Sequence, residues 1–119
     1  MNNLAASNNI AQARRWYWQR ISAMVLAVCV LIHLAVMIFA VQGGLSAAEI
    51  LGRTQGNFGF ALLYTVFVIA AAIHIPPGLN NIAVEWWHWS EKTALNFARI
   101  FGLIVLASGL RAVYAVVIP

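Results

Sequence analysis

Three long apolar runs divide the chain: about Ile21 to Val41, about Phe58 to Ile75, and about Phe97 to Ile118. Each approaches the roughly 20 residues that carry a helix across a bilayer. None alternates with period two, so the pattern predicts spanning helices and gives no support to a membrane β-barrel. Lipid offers the backbone no hydrogen-bond partner, and a helix satisfies its own amides and carbonyls. With their flanks, the helices are placed over about 16–41, 57–79 and 94–118, within a single all-α transmembrane domain spanning 14–119. Residues 1–13 are small and polar and read as a mobile or partner-docking arm. The first run exceeds the roughly 7–15 residues of a signal-peptide core, so it is expected to remain as a helix.

The connections carry turn chemistry. Gly43-Gly44 closes the first helix. Ser46 followed by Glu49 fits a capping box and predicts a short interfacial helix from Ser46 to Arg53. Gly56-Asn57 leads into the second helix. That helix meets Pro76-Pro77-Gly78, where lost amide donors predict a weakened or kinked segment. Ser90 or Thr93 is placed to cap the third.

Composition narrows the class. The 119 residues are 63% hydrophobic and 8% charged, whereas a soluble domain carries about 25% charge. So short a chain cannot bury that much apolar surface in water. A soluble globular enzyme is excluded, as are a disordered protein and a disulfide scaffold, since Cys29 is the one cysteine. No repeat period points to a solenoid. The net charge of +4 bears on topology. Arg14, Arg15 and Arg20 precede the first run, and Lys92 and Arg99 belong to the same side, against Arg53 alone in the first connection. The positive-inside rule then predicts a multi-pass protein of the inner (cytoplasmic) membrane, N-terminus cytoplasmic and C-terminus outside. Trp16, Tyr17 and Trp18, with Trp86, Trp87 and Trp89, gather the aromatic belt at that interface. No Walker, zinc, Ser-His-Asp or dinucleotide motif is present, and nothing beyond a high pI suggests nucleic acid.

Polar residues inside spans are costly and mark candidate chemistry. His33 and His74 are the main ones, and neutral imidazole is an axial ligand for haem iron. Ala70, Ala71 and Gly78 share the face of His74, a low surface suited to a flat macrocycle. The competing use of that ring is a hydrogen bond to a carbonyl freed by the prolines. His33 lies among Cys29, Val30, Val36 and Met37, where ligation competes with interhelical hydrogen bonding. His33 should lie roughly 20 Å beyond Arg20, and His74 roughly 6–9 Å from its end of the membrane. A depth difference of about 10 Å does not suit one shared iron. A bis-histidine haem would then need an opposite histidine from another chain, a second copy or a similar subunit. Arg20 suits propionate carboxylates as a bidentate donor or snorkels at the interface. Arg111 either snorkels outward or neutralises a distal propionate. Arg99 reads as a membrane anchor and Cys29 as packing. Ala98, Gly102 and Gly109 form a small-residue packing stripe.

From His74, a glycine follows four residues later at Gly78 and an acidic residue eleven later at Glu85, with Trp86 next. Upstream, Arg20 is followed by Ser22. In this order and spacing, roughly residues 14–118 resemble the membrane-anchor cytochrome b subunits of succinate dehydrogenase and fumarate reductase. The resemblance implies a haem b-binding anchor, with one or two haems per membrane dimer, that docks a flavoprotein subunit and an iron–sulfur subunit. It implies pairing with a second membrane-anchor chain, a copy or a related subunit. Electrons would pass to or from ubiquinone or menaquinone, and the chain alone would not oxidise succinate. On the same resemblance His74 and His33 are the haem iron ligands, proximal and distal. Arg20 and Ser22, with Arg111, are contacts to propionate or quinone. Glu85, Trp86 and His88 lie near the quinone pocket. The chain departs from the family in having Asn80-Asn81 where Arg-His is common, Trp86 where tyrosine is common, and Trp16 where some members carry a serine. The alternatives are a haem-free structural anchor, or a small proton-path or transporter subunit using His74 and Glu85. The scarcity of other intramembrane acids weighs against the latter.

Overall fold

The computed structural model describes residues 2–119. Four helices account for the architecture: α1 (Asn2–Gly43), α2 (Ala47–Thr54), α3 (Phe58–Glu85) and α4 (Glu91–Val117). α1, α3 and α4 are long and apolar enough to cross a membrane. The chain is therefore an all-α membrane protein with three candidate spans.

α1 begins well before its apolar run. The segment expected as a separate arm is helical and continuous with the span, and its side chains from Asn3 to Trp18 are exposed. No glycine or proline interrupts the chain before Gly43. Extending an existing helix fixes one residue per hydrogen bond gained, which is far cheaper than starting a new one. At about 1.5 Å per residue, 42 residues reach roughly 63 Å, and α1 sets the 61 Å long axis of the molecule.

α2 is the short helix anticipated in the first connection. Ser46 is its N-cap, and both halves of the capping box with Glu49 are present. The Ser46 amide donates to the Glu49 carboxylate at 2.9 Å, and the Glu49 amide donates back to Ser46 Oγ at 3.3 Å. Gly44 precedes the cap at φ +104, where a Cβ would run into the Glu49 carboxylate. Beyond α2, Thr54 Oγ1 bonds the Val116 carbonyl at 2.7 Å, and the Gly56 amide donates to the Val117 carbonyl at 2.8 Å. These bonds satisfy carbonyls that the last turn of α4 would otherwise leave unpaired.

α3 and α4 form the closest helix pair, through small residues. Ala94, Ala98 and Gly102 of α4 are buried. A Cβ on Gly102 would sit 3.1 Å from Pro76 Cγ and 3.5 Å from the Ala72 carbonyl oxygen. Ala72 lies four residues before Pro76, so its carbonyl is the one whose helical donor the proline removes. Gly102 brings α4 close enough to cover it, and α3 stays helical through both prolines to Glu85. The helix thus runs past its expected end at residue 79, beyond the segment where the double proline predicted weakening or a kink. Further along, a Cβ on Gly109 would meet Val68 Cγ1 at 2.6 Å. No large side chain among the described residues is fully buried, and Leu31, Phe39 and Leu103 are more than 60% exposed. Such a surface suits lipid or partner helices and not water.

Candidate functional site

His74 stands on α3 facing α1. Its Nδ1 lies 3.3 Å from the hydroxyl oxygen of Ser22, which is buried at 4% exposure. Ser22 also donates to the carbonyl of Gln19 one turn earlier in α1, at 3.0 Å. A serine inside a helix commonly satisfies its proton on such a carbonyl. No partner among the described residues engages His74 Nε2. One turn on, the Cβ position of Gly78 lies 3.9 Å from Gln19 Nε2. Part of the low face inferred around His74 is therefore occupied by α1.

The Ser22–His74 contact fixes the register of α1 against α3. His33 lies eleven residues beyond Ser22, roughly 16 Å along the helix. The separation of the histidines is thus larger than the roughly 10 Å expected from end distances, because His74 lies nearly level with Arg20. A single iron between the two rings of one chain is excluded by that distance.

His33 has different neighbours. Its ring meets Tyr64 and Phe67 of α3 edge-on, with both centroid distances 5.9 Å. Its Nδ1 is buried and has no hydrogen-bond partner among the described residues. The ring lines a cavity of about 540 Å³ that also touches Met37, Arg53, Thr54, Tyr64 and Gly109. The cation beside this cavity is Arg53, whose guanidinium donates to the Gly44 carbonyl. Arg111 is exposed and not among the lining residues. Arg53, Tyr64 and Thr54 were missed as site residues in the sequence. The capping box that predicted α2 was their available signal, since α2 is what carries Arg53 back over the span. Glu49, in the same box, has its carboxyl held below the usual range, first by hydrogen bonding from Ser46 and then by Arg53.

The remaining candidates lie at the His74 end. Arg20 is exposed, with its guanidinium carbon 5.1 Å from the Trp16 ring centroid, a cation–π arrangement. Glu85 and Trp86 finish α3 and are exposed. His88 is exposed and takes φ 55, so it serves the turn after α3. The turn is fixed by the Trp89 amide, which bonds the Ala83 carbonyl at 3.0 Å. Trp87 and Trp89 pack tilted at 5.3 Å, and Trp89 meets Phe97 edge-on at 5.2 Å. Cys29 is buried, as packing requires. The structure thus brings Ser22 to His74, but does not bring Glu85, Trp86 or His88 onto that ring.

Among the described residues no group of three or more His, Cys, Asp or Glu converges to hold a metal ion. A lone imidazole suits iron that already carries equatorial ligands, as in haem, and not a bare ion. The donor chemistry fits at His74, where one ring nitrogen is engaged and the other is unclaimed. It also fits at His33, where an orphaned polar ring borders an apolar cavity within the roughly 300–1,000 Å³ range of ligand sites.

A family model described as succinate dehydrogenase/fumarate reductase transmembrane subunit matches residues 4–116. Neither the curated proteins nor the solved structures include a significant match to the chain.

Proposed function

The chain belongs to the succinate dehydrogenase/fumarate reductase transmembrane subunits, and from that premise we propose that it is a haem b-binding anchor of such a complex. It docks the flavoprotein and iron–sulfur subunits at the membrane and passes electrons to or from a quinone. The observation that carries this reading is the contact between Ser22 and His74. It holds an intramembrane imidazole by one nitrogen and leaves the other unclaimed.

In this reading His74 would hold one haem through its free ring nitrogen, and His33 would hold a second at the other depth. The partner membrane chain, a copy or a related subunit, would supply the remaining protein ligands. Bound haem b supplies a one-electron iron couple. Arg20, steadied over Trp16, offers a positive charge and paired N–H donors to propionate carboxylates. Arg53, which lines the same cavity as His33, offers the same charge there. The exposed helix ends at Glu85, Trp86 and His88 line the quinone approach, for ubiquinone or menaquinone. Trp86 can donate a hydrogen bond there but cannot pass a proton as a phenol would. With Arg14, Arg15 and Arg20 at one end, the N-terminus lies in the cytoplasm and the C-terminus outside. The exposed first turns of α1 then reach toward the docked subunits.

Reduced-minus-oxidised absorption of the purified complex tests this. Wild type shows a b-type band, and His74→Ala loses the part due to that haem while the chain still inserts and assembles. An unchanged spectrum rejects His74 as a ligand. Absence of any b-type band in wild type leaves a haem-free anchor.

A further inference from the structure

Ser22 sits in the α1–α3 seam between two polar neighbours. Its hydroxyl has a single proton and two lone pairs. Two neighbours compete for that proton. The Gln19 carbonyl at 3.0 Å can only accept. His74 Nδ1 at 3.3 Å can accept or donate, according to tautomer. One assignment satisfies both contacts: Ser22 O–H donates to Gln19, and His74 Nδ1–H donates to Ser22 Oγ. The reverse assignment, with Ser22 donating to Nδ1, strips the Gln19 contact of its proton. It also puts the ring hydrogen on Nε2, which then has no lone pair to offer.

We propose that Ser22 is the positioning residue of His74, a serine turned into a pure acceptor by its own helix, which fixes the Nδ1–H tautomer and leaves the Nε2 lone pair for the haem iron. The proposal rests on the reading of His74 as a ligand. It assigns the Ser22 hydroxyl to the ring and takes it away from propionate and quinone. An imidazole whose second nitrogen donates to an acceptor is a stronger base toward its metal, and such partners typically alter metal affinity about 10–100-fold. Ser22 is buried, so water does not readily replace the lost acceptor. The burial also places the hydroxyl in the α1–α3 seam, whereas Arg20 two residues earlier is exposed.

Two measurements test it on the intact complex. Nitrogen-15 chemical shifts of the His74 ring in haem-depleted wild type should report Nδ1–H with an unprotonated Nε2; an Nε2–H ring overturns the proposal. In the haem-loaded complex, Ser22→Ala should move the midpoint potential of the His74 haem to more positive values. It should also change the ferric EPR g values and weaken haem retention about 10-fold or more. Ser22→Thr should restore all three. A potential and g values unchanged in Ser22→Ala, with the His74 haem still present, overturn the role of Ser22 and leave His74 as a ligand. Haem retained in His74→Ala removes the underlying reading instead. Should Ser22→Ala fail to assemble, the wild-type ring tautomer decides alone.

Discussion

At the level of Ser22 the seam between α1 and α3 closes around His74; roughly 16 Å further along, the same seam opens into the cavity around His33. The His74 ring has a hydroxyl within 3.3 Å. The His33 ring has Tyr64 and Phe67 edge-on, an orphaned Nδ1, and a cavity that it shares with Arg53 of α2. Both histidines are polar residues within apolar runs, and their sequence surroundings differ in the bulk of the shared face but do not show which ring finds a hydrogen-bond partner. The difference teaches that the first ring is ordered before anything binds, while the second is left with an unmet polar group that a bound partner could compensate. Pre-organisation spends the ordering cost in folding; an orphan holds it over until binding.

The comparison is broken most directly by replacing each ring with leucine. In the loaded complex, His74→Leu and His33→Leu should each remove its own haem, with the other band retained. Haem content unchanged in His33→Leu rejects the distal assignment. In the haem-free chain the two substitutions should part in sign. His33→Leu deletes a buried unpaired nitrogen and should stabilise the chain by about 1–3 kcal/mol in a denaturant titration. His74→Leu should give no such gain, because its Nδ1 already has a partner. Equal effects of the two would erase the distinction drawn between the sites.

A smaller effect concerns the wall of the His33 cavity. Gly109 and Val68 both line it, and a Cβ on Gly109 meets Val68 at 2.6 Å. Gly109→Ala should therefore cost about 1–3 kcal/mol by overpacking. Adding Val68→Ala to the same chain should recover much of that loss. The His74 haem should be unaffected in both. A fully additive pair of losses would show that α4 does not approach α3 as described.

The smallest effect separates the two ends by pH. The Glu49 carboxyl is held below its ordinary range by Ser46 and Arg53. A depressed folded-state value stabilises α2 at and above the ordinary glutamate range, and that contribution fades as pH falls through the lowered value. The protection factors of amides in α2, which carries Arg53 beside the His33 cavity, should fall as pH drops below the ordinary glutamate range. The Ser22 region should not follow, and Glu49→Gln should flatten the response. Equal protection of α2 across that range would remove Glu49 as the latch.

Some of this was legible in the residues. Ser46 and Glu49 announced α2, because a capping box is local chemistry completed within one turn. Of the two caps offered for α4, Ser90 and Thr93, the structure uses Ser90, so the helix starts at Glu91 and not near residue 94. Gly102 was legible as packing surface, but not as the cover for the Ala72 carbonyl. That role joins a glycine on one helix to a proline-freed acceptor on another. Arg53 was read only as the charge of the first connection, at the end of its short helix, and Arg111 was offered as a cation for a distal propionate. Which arginine lines the His33 cavity depends on how α2 folds back, and no periodicity records that.

The three apolar runs by themselves determined a membrane protein built of helices, since hydrocarbon leaves the backbone no other way to pair its polar groups. They also determined which residues would be expensive to bury there, and hence His33 and His74. Only the tertiary structure decided the stagger of α1 against α3, because lipid-like side chains slide past one another with little energetic preference until small residues and hydrogen bonds lock them. That stagger is what sets Ser22 opposite His74 and leaves His33 facing a cavity.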